Sequence, residues 1–180
     1  MKCFLGISAS GLHLNLDPMK QVLREHNVEY EFIPKENYHI TLNYLGNIGP
    51  EQLPAISQVL KEVAKEHDPF SVRLVGFSAF PTELESKYVW VGVQNSLVLR
   101  SLHGNCERRL NEIGLNIEVK GYNPHLTVAQ LNRSKDLSEA FRTVKHHELC
   151  DISVEKVELY ESNFDGPIPT YVSIAEFYLG

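Results

Sequence analysis

Two short stretches, Tyr38–Gly46 (YHITLNYLG) and Tyr122–Gln130 (YNPHLTVAQ), decide how this chain reads. Each holds histidine, one apolar residue and threonine inside a run of strand-forming residues. The two histidines stand 86 positions apart in a chain of 180. On a strand, residues i and i+2 share a face. Strict alternation therefore predicts His39, Thr41 and Asn43 on one face, with Ile40, Leu42 and Tyr44 on the other. It predicts likewise that His125, Thr127 and Ala129 oppose Leu126 and Val128. One such pair means little, because a lone histidine near a core is usually a satisfied structural residue. Nothing about building a strand requires it twice.

Reading outward, Lys2–Ser8 is a strand. Asp17 and Pro18 open a helix bearing Met19, Val22, Leu23 and His26 at helical spacing. YEFIP is extended. A turn-rich segment leads to a helix with Leu53, Ile56, Leu60, Val63 and Ala64 on one face. FSVRLVGFSAF, ended by Pro81, and KYVWVGV are strands. Asn95 or Ser96 caps a helix that puts Leu99, Leu102, Cys106, Leu110 and Ile113 inward and stops at Gly114. SKDLSEAFRTVKHH is a short helix, with His146 and His147 at the surface. CDISVEKVELYES and PTYVSIAEFYL are two closing strands joined by NFDGPIP. The order is β-α-ββ-α-ββ-α-β-α-ββ. A helix and two strands recur around each His-x-Thr, as if two related lobes faced one another.

Hydrophobic residues make up 43% of the chain, enough for a real core, and the formal charge is −6. An acidic surface argues against coating long nucleic acid by counterion release, though not against a pocket for one phosphate. No apolar run approaches the ~20 residues needed to span a bilayer, so no membrane association is expected. MKCFLGISAS reads as a first strand, not a signal peptide. Cys3, Cys106 and Cys150 are odd in number, widely spaced and set among apolar neighbours. They read as core residues of a cytoplasmic protein without disulfides or structural zinc.

Histidine serves as acid or base near neutral pH, and a threonine hydroxyl donates to a phosphoryl oxygen. Two such pairs facing across a groove make a metal-free kit for attack on a phosphodiester. A strained 2′,3′-cyclic phosphate is an apt substrate. Tyr38, Tyr44 and Tyr122 are further groove candidates, since aromatic rings stack on any base.

At these residues the sequence resembles the 2H phosphoesterase superfamily, and within it the RNA 2′,3′-cyclic phosphodiesterases also labelled 2′-5′ RNA ligases. FIPKENYHITLNYLGNI and YNPHLTVAQ are similar to the two family motifs. VGFSAFP, YVWVGV and VEKVELYES are similar to its central and closing strands. The resemblance spans nearly the whole chain, 1–180, read as one bilobal domain. It implies an α+β fold with two antiparallel sheets in pseudo-two-fold relation about a central cleft, helices on the outer faces. It implies His39 as proton donor, His125 as proton acceptor, and Thr41 and Thr127 as phosphate ligands, with no metal or other cofactor. It implies RNA ends or small cyclic nucleotides as substrates and a 2′-phosphomonoester product; a monomer is expected.

Two departures stand out. The family commonly has arginine where this chain has Gln130, and Arg133 is a possible substitute. Ahead of the first motif, Glu31 replaces a common arginine and Phe32 keeps an aromatic surface. Alternatives left open are a 2′-5′ oligonucleotide phosphodiesterase or ligase, a non-catalytic nucleotide-binding module, and a metal hydrolase.

Overall fold

A computed structural model gives the three-dimensional structure and describes residues 1–94, 96–117, 121–166 and 168–180. The chain runs β1 (Lys2–Ser8), α1 (Asp17–Glu25), β2 (Tyr30–Phe32), β3 (His39–Asn47), α2 (Leu53–Lys65), β4 (Phe70–Pro81) and β5 (Ser86–Val93). It continues through α3 (Leu97–Glu112), β6 (His125–Lys135), α4 (Ser138–Phe141), β7 (Glu148–Val154), β8 (Lys156–Asn163) and β9 (Thr170–Tyr178). The strands form two antiparallel sheets, ordered β3-β1-β8-β9 and β2-β6-β5-β4-β7. The expected α+β fold with two antiparallel sheets is what the structure shows.

Each His-x-Thr begins a strand, β3 in one sheet and β6 in the other. Each strand lies beside the neighbour that completes its ladder: β1 for β3, β5 for β6. Both strands then break the two-residue period at the same point. In β3 the pairing runs Gly6 with Thr41, then Leu5 with Asn43, so Leu42 is an extra residue. In β6 it runs Trp90 with Thr127, then Val89 with Ala129, so Val128 is extra. A bulge of this kind shifts every later side chain to the other face. Burial records it identically: after His and Thr, both half-buried, come two buried residues, Leu42 and Asn43 or Val128 and Ala129. Strict alternation therefore fails beyond each threonine. Asn43 and Ala129 turn inward at 3% and 0% exposure. Tyr44 and Gln130 take the open face instead.

The core lies on the other sides of the sheets. Met19, Val22 and Leu23 of α1, Ile56, Val59, Leu60, Val63 and Ala64 of α2, and Leu99, Leu102, Cys106 and Leu110 of α3 are buried there. Helix α2 packs on α3 and β9, and α3 on β3. Ser96 caps α3, accepting from the Leu99 N–H; the alternative, Asn95, lies outside the described residues. Gly114 follows α3 with φ +92°, as a glycine after a helix end does.

Several sequence expectations need correction. The N-cap of α1 is Leu16, with Asp17 already helical. Ile113 is 40% exposed, because α3 ends at Glu112 before its face can continue. The helix expected after residue 133 is one turn, Ser138–Phe141. His147 is half-buried, its ring centroid 6.2 Å from that of Phe77. CDISVEKVELYES is two strands: β7 pairs with β4 in one sheet and β8 with β1 in the other. Among the described residues, no helix is long and apolar enough to cross a membrane.

Gly76 interrupts β4 with φ +75°, and its N–H donates to the His147 carbonyl at 2.7 Å. A Cβ there would overlap the carbonyl oxygen of Lys145. Gly76→Ala is expected to lower stability by about 2–4 kcal/mol, counting the positive φ and the overlap together. Urea denaturation measures it; a midpoint equal to wild type would contradict the packing of β4 on the α4–β7 connection.

Candidate active site

The sequence places the same residue type before each motif. Asn37 and Asn123 stand two positions ahead of His39 and His125. His39 Nδ1–H donates to the Asn37 carbonyl and His125 Nδ1–H to the Asn123 carbonyl, each at 2.7 Å. A carbonyl only accepts, so each Nδ1 carries a proton, and a neutral imidazole then keeps Nε2 as a free acceptor. The Asn37 side chain donates to the Pro169 carbonyl at 2.8 Å, tying the first motif to the loop ahead of β9.

Aromatic rings wall both imidazoles. Phe4 and Tyr171 flank His39, each with ring centroids 4.8 Å away. Phe80 and Trp90 flank His125 at 4.6 and 5.6 Å. Desolvation in these walls lowers both histidines below their ordinary pKa. The bonds to Asn37 and Asn123 oppose that shift, and proximity to His125 lowers His39 further.

His39, Thr41, His125 and Thr127 line one cavity of about 420 Å³. Tyr44, Tyr88, Gln130 and Tyr171 complete its polar wall, with Ile33, Phe164 and Pro169 as apolar parts. Among the described residues, none hydrogen-bonds either threonine hydroxyl, which leaves both for a ligand. Thr41, Tyr44 and His125 also border a second cavity of about 490 Å³, whose other walls include Phe80, His103, Glu107 and Tyr122. The cleft thus has two rooms meeting at Thr41 and His125. No three His, Cys, Asp or Glu side chains gather as a metal-holding group among the described residues.

Of the other expected site residues, Gln130 lines the first cavity and Tyr122 the second. Asn43, turned inward by the bulge, lies against His103 and borders the second cavity, not the one that holds both histidines. Arg133 borders a separate polar pocket with Asn27, Glu29 and Lys135, away from Gln130. Phe32 is 42% exposed on β2, beneath Lys20, and is not among the cavity walls. Glu31 pairs beside Gln130 and is exposed. Tyr38 is buried at 3%. Sequence reasoning missed Tyr88 and Tyr171, which come from strands whose place across the cleft no local pattern reveals. It also missed His103, which stands four residues after Leu99 and three before Cys106, on the flank of the inward helical face.

A model of the 2′-5′ RNA ligase superfamily matches residues 14–166. The chain belongs to that superfamily. It is 27% identical over 184 residues to an RNA 2′,3′-cyclic phosphodiesterase of Methanothermobacter thermautotrophicus, covering 99% of both chains. It is 29% identical to one of Archaeoglobus fulgidus, covering 81% of each. The fold matches TT0787 of Thermus thermophilus with a TM-score of 0.75 at 20% identity, over 99% of this chain and 98% of that one. It matches E. coli LigT complexed with 3′-AMP at 0.69 and 19%, over 99% and 97%. The family resemblance read from the two motifs is borne out.

Because the folded protein favours neutral His39 and His125, the unfolded chain binds more protons below its histidine pKa of about 6.5. Stability should therefore be level above that pH and fall as pH drops through the window between about 6.5 and the lowered folded values. His39→Gln should flatten that fall. Denaturation midpoints at a series of pH values, with NMR titration of the two imidazoles, test this; imidazole titration midpoints at or above about 6.5 would overturn it.

Proposed function

We propose that the protein hydrolyses 2′,3′-cyclic phosphodiesters, at RNA ends or in short nucleotides, to 2′-phosphomonoesters. The observation that carries this reading is the one cavity walled by two imidazoles with free Nε2 atoms and two free threonine hydroxyls. The names of the relatives supply the substrate class. Thr41 and Thr127 donate to the non-bridging phosphoryl oxygens, and Gln130 adds an uncharged donor where a cation would hold the phosphate more tightly. His125 takes a proton from water as its oxygen bonds to phosphorus. The P–O3′ bond breaks, and O3′ receives the proton of His39. The two imidazoles exchange charge state, and solvent restores them. No metal enters the scheme. The donor and acceptor assignments and the single two-lobed domain follow the family resemblance; a cytoplasmic location follows from the odd, widely spaced cysteines, and a monomer is expected.

The second cavity favours one additional reading. A nucleoside alcohol seated there, beside His125, would occupy the place of water, giving 2′-5′ ligation or its reversal.

The test is RNA ending in a 2′,3′-cyclic phosphate, incubated with a chelator present. The expected product keeps phosphate on the 2′-oxygen. His39→Ala and His125→Ala should each lower kcat by about 10²–10⁴-fold. Thr41→Val and Thr127→Val should cost about 10- to 100-fold in kcat/KM, as a lost hydrogen bond to a charged group does. Nucleotide binding without turnover, or full activity in His125→Ala, would overturn the proposal.

The pH profile is a separate check. One histidine must be protonated and the other neutral, so kcat/KM should be bell-shaped. Both free-enzyme values lie below the ordinary one, which puts the optimum on the acid side of about 6.5. The bound phosphate anion favours imidazolium, so the optimum of kcat should lie at higher pH than that of kcat/KM. A reversed order would contradict the histidine assignment.

A further inference from the structure

The two bulges are alike, but their exposed carbonyls are satisfied differently. In β6, the carbonyl of the extra residue, Val128, accepts the backbone N–H of Ile33 at 2.9 Å. That donor follows β2, the strand lying outside β6. In the other sheet β3 is itself the edge strand, and among the described residues no strand flanks it to supply such an N–H. The equivalent carbonyl, Leu42, accepts instead from His103 Nδ1–H on α3, at 2.9 Å. The carbonyl just before it, Thr41, accepts from the Tyr122 hydroxyl at 3.2 Å. The rings of His103 and Tyr122 stack face to face, centroids 4.0 Å apart and planes within 8°. On its far edge, His103 Nε2 lies 3.5 Å from Glu107. The side-chain amide of Asn43 lies 3.0 Å from His103 Nδ1 and donates to the His103 carbonyl at 3.4 Å.

From this geometry we infer that His103 is a positioning residue for the phosphate site. With Tyr122 it does the work of the missing strand, holding the β3 bulge so that the Thr41 hydroxyl faces the cavity. An unpaired carbonyl at a bulge would turn toward water, and Thr41 would turn with it. A displacement of about 1 Å at a substrate-holding group is worth about 100-fold in rate. The inference rests on the proposed role of Thr41 as a phosphate ligand.

A double-mutant cycle in kcat/KM for 2′,3′-cyclic phosphate hydrolysis tests it. His103→Leu keeps an apolar bulk and removes the donor; activity should fall about 10- to 100-fold. His103→Asn, whose amide nitrogen can stand where Nδ1 stood, should recover most of that loss. Adding His103→Leu to Thr41→Val should cost little more than Thr41→Val alone, because both act through one hydroxyl. Adding it to Thr127→Val should multiply the two losses. Equal activity of His103→Leu and wild type, or multiplied losses with Thr41→Val, would overturn the assignment, as would an Asn variant no better than Leu. If His103→Leu does not fold, Tyr122→Phe removes one hydroxyl from the Thr41 carbonyl and enters the same cycle with the same expectations. Full activity of Thr41→Val would instead strike the phosphate-ligand reading, with His103 falling as a consequence.

Discussion

One hydrogen bond in each lobe governs the chemistry open to this cleft: Nδ1–H of a histidine on the carbonyl of the asparagine two residues before it. The carbonyl belongs to the chain entering the strand, before the ladder begins, so no strand partner competes for it. The bond fixes the tautomer and the ring plane together. It leaves Nε2 as the atom that meets the cavity. The aromatic walls then act on a ring that cannot turn away, and desolvation lowers both imidazoles. Without the bond, the same rings could swing out to water and lose both the orientation and the shift.

The bulge after each threonine is the second constraint. A regular strand would send the residue two places beyond threonine into the cleft. The inserted residue sends the third one there, so Tyr44 and Gln130 face the cavity that holds both histidines while Asn43 and Ala129 turn inward. A bulge leaves ladder groups without their usual partners. The sheet with an outer strand settles this with backbone, and the edge strand settles it with side chains from a helix and from the entry to the other motif. The pseudo-symmetry therefore holds for the strands and not for their supports. That difference also stitches the lobes: Tyr122, three residues before His125, holds the strand of His39.

How much of this is legible in the sequence follows from the range of each signal. His39, Thr41, His125 and Thr127 announce themselves because two residues on one strand face are a local pattern, and the pattern is written twice. The sheets are legible in outline from β-branched and aromatic runs. The bulges are not, since nothing in LNYL or VAQL marks an inserted residue. Strict alternation misplaces Asn43 for that reason alone. The passage from β7 to β8 carries no glycine or proline, yet burial skips from Val154 to Val157 and breaks the alternation. That slip in period is the signal that separates the two strands. Tyr88, Tyr171 and His103 depend on contacts between distant elements, which no window of sequence reports. Arg133, near Gln130 in sequence, lies beyond it along β6 and borders a different pocket.

The composition of the cavity wall links substrate binding to proton transfer under the proposed chemistry. Among the described residues lining the cavity with both histidines, none is lysine or arginine. The formal positive charge those residues can offer a phosphate anion is therefore a proton on His39 or His125. In the empty cleft burial opposes that proton. An arriving anion reverses the balance, because Coulomb attraction in a partly desolvated site favours imidazolium. Substrate and proton then bind as a pair, each raising the affinity for the other. The imidazolium that the anion brings into the cleft is then in place to give its proton to the departing alkoxide. A fixed guanidinium would hold the phosphate at every stage, product included. The two imidazoles do so with a mobile charge: His125 gains a proton from water as His39 gives one to the alcohol, so one imidazolium faces the phosphate throughout and passes from the leaving-group side to the attacking side.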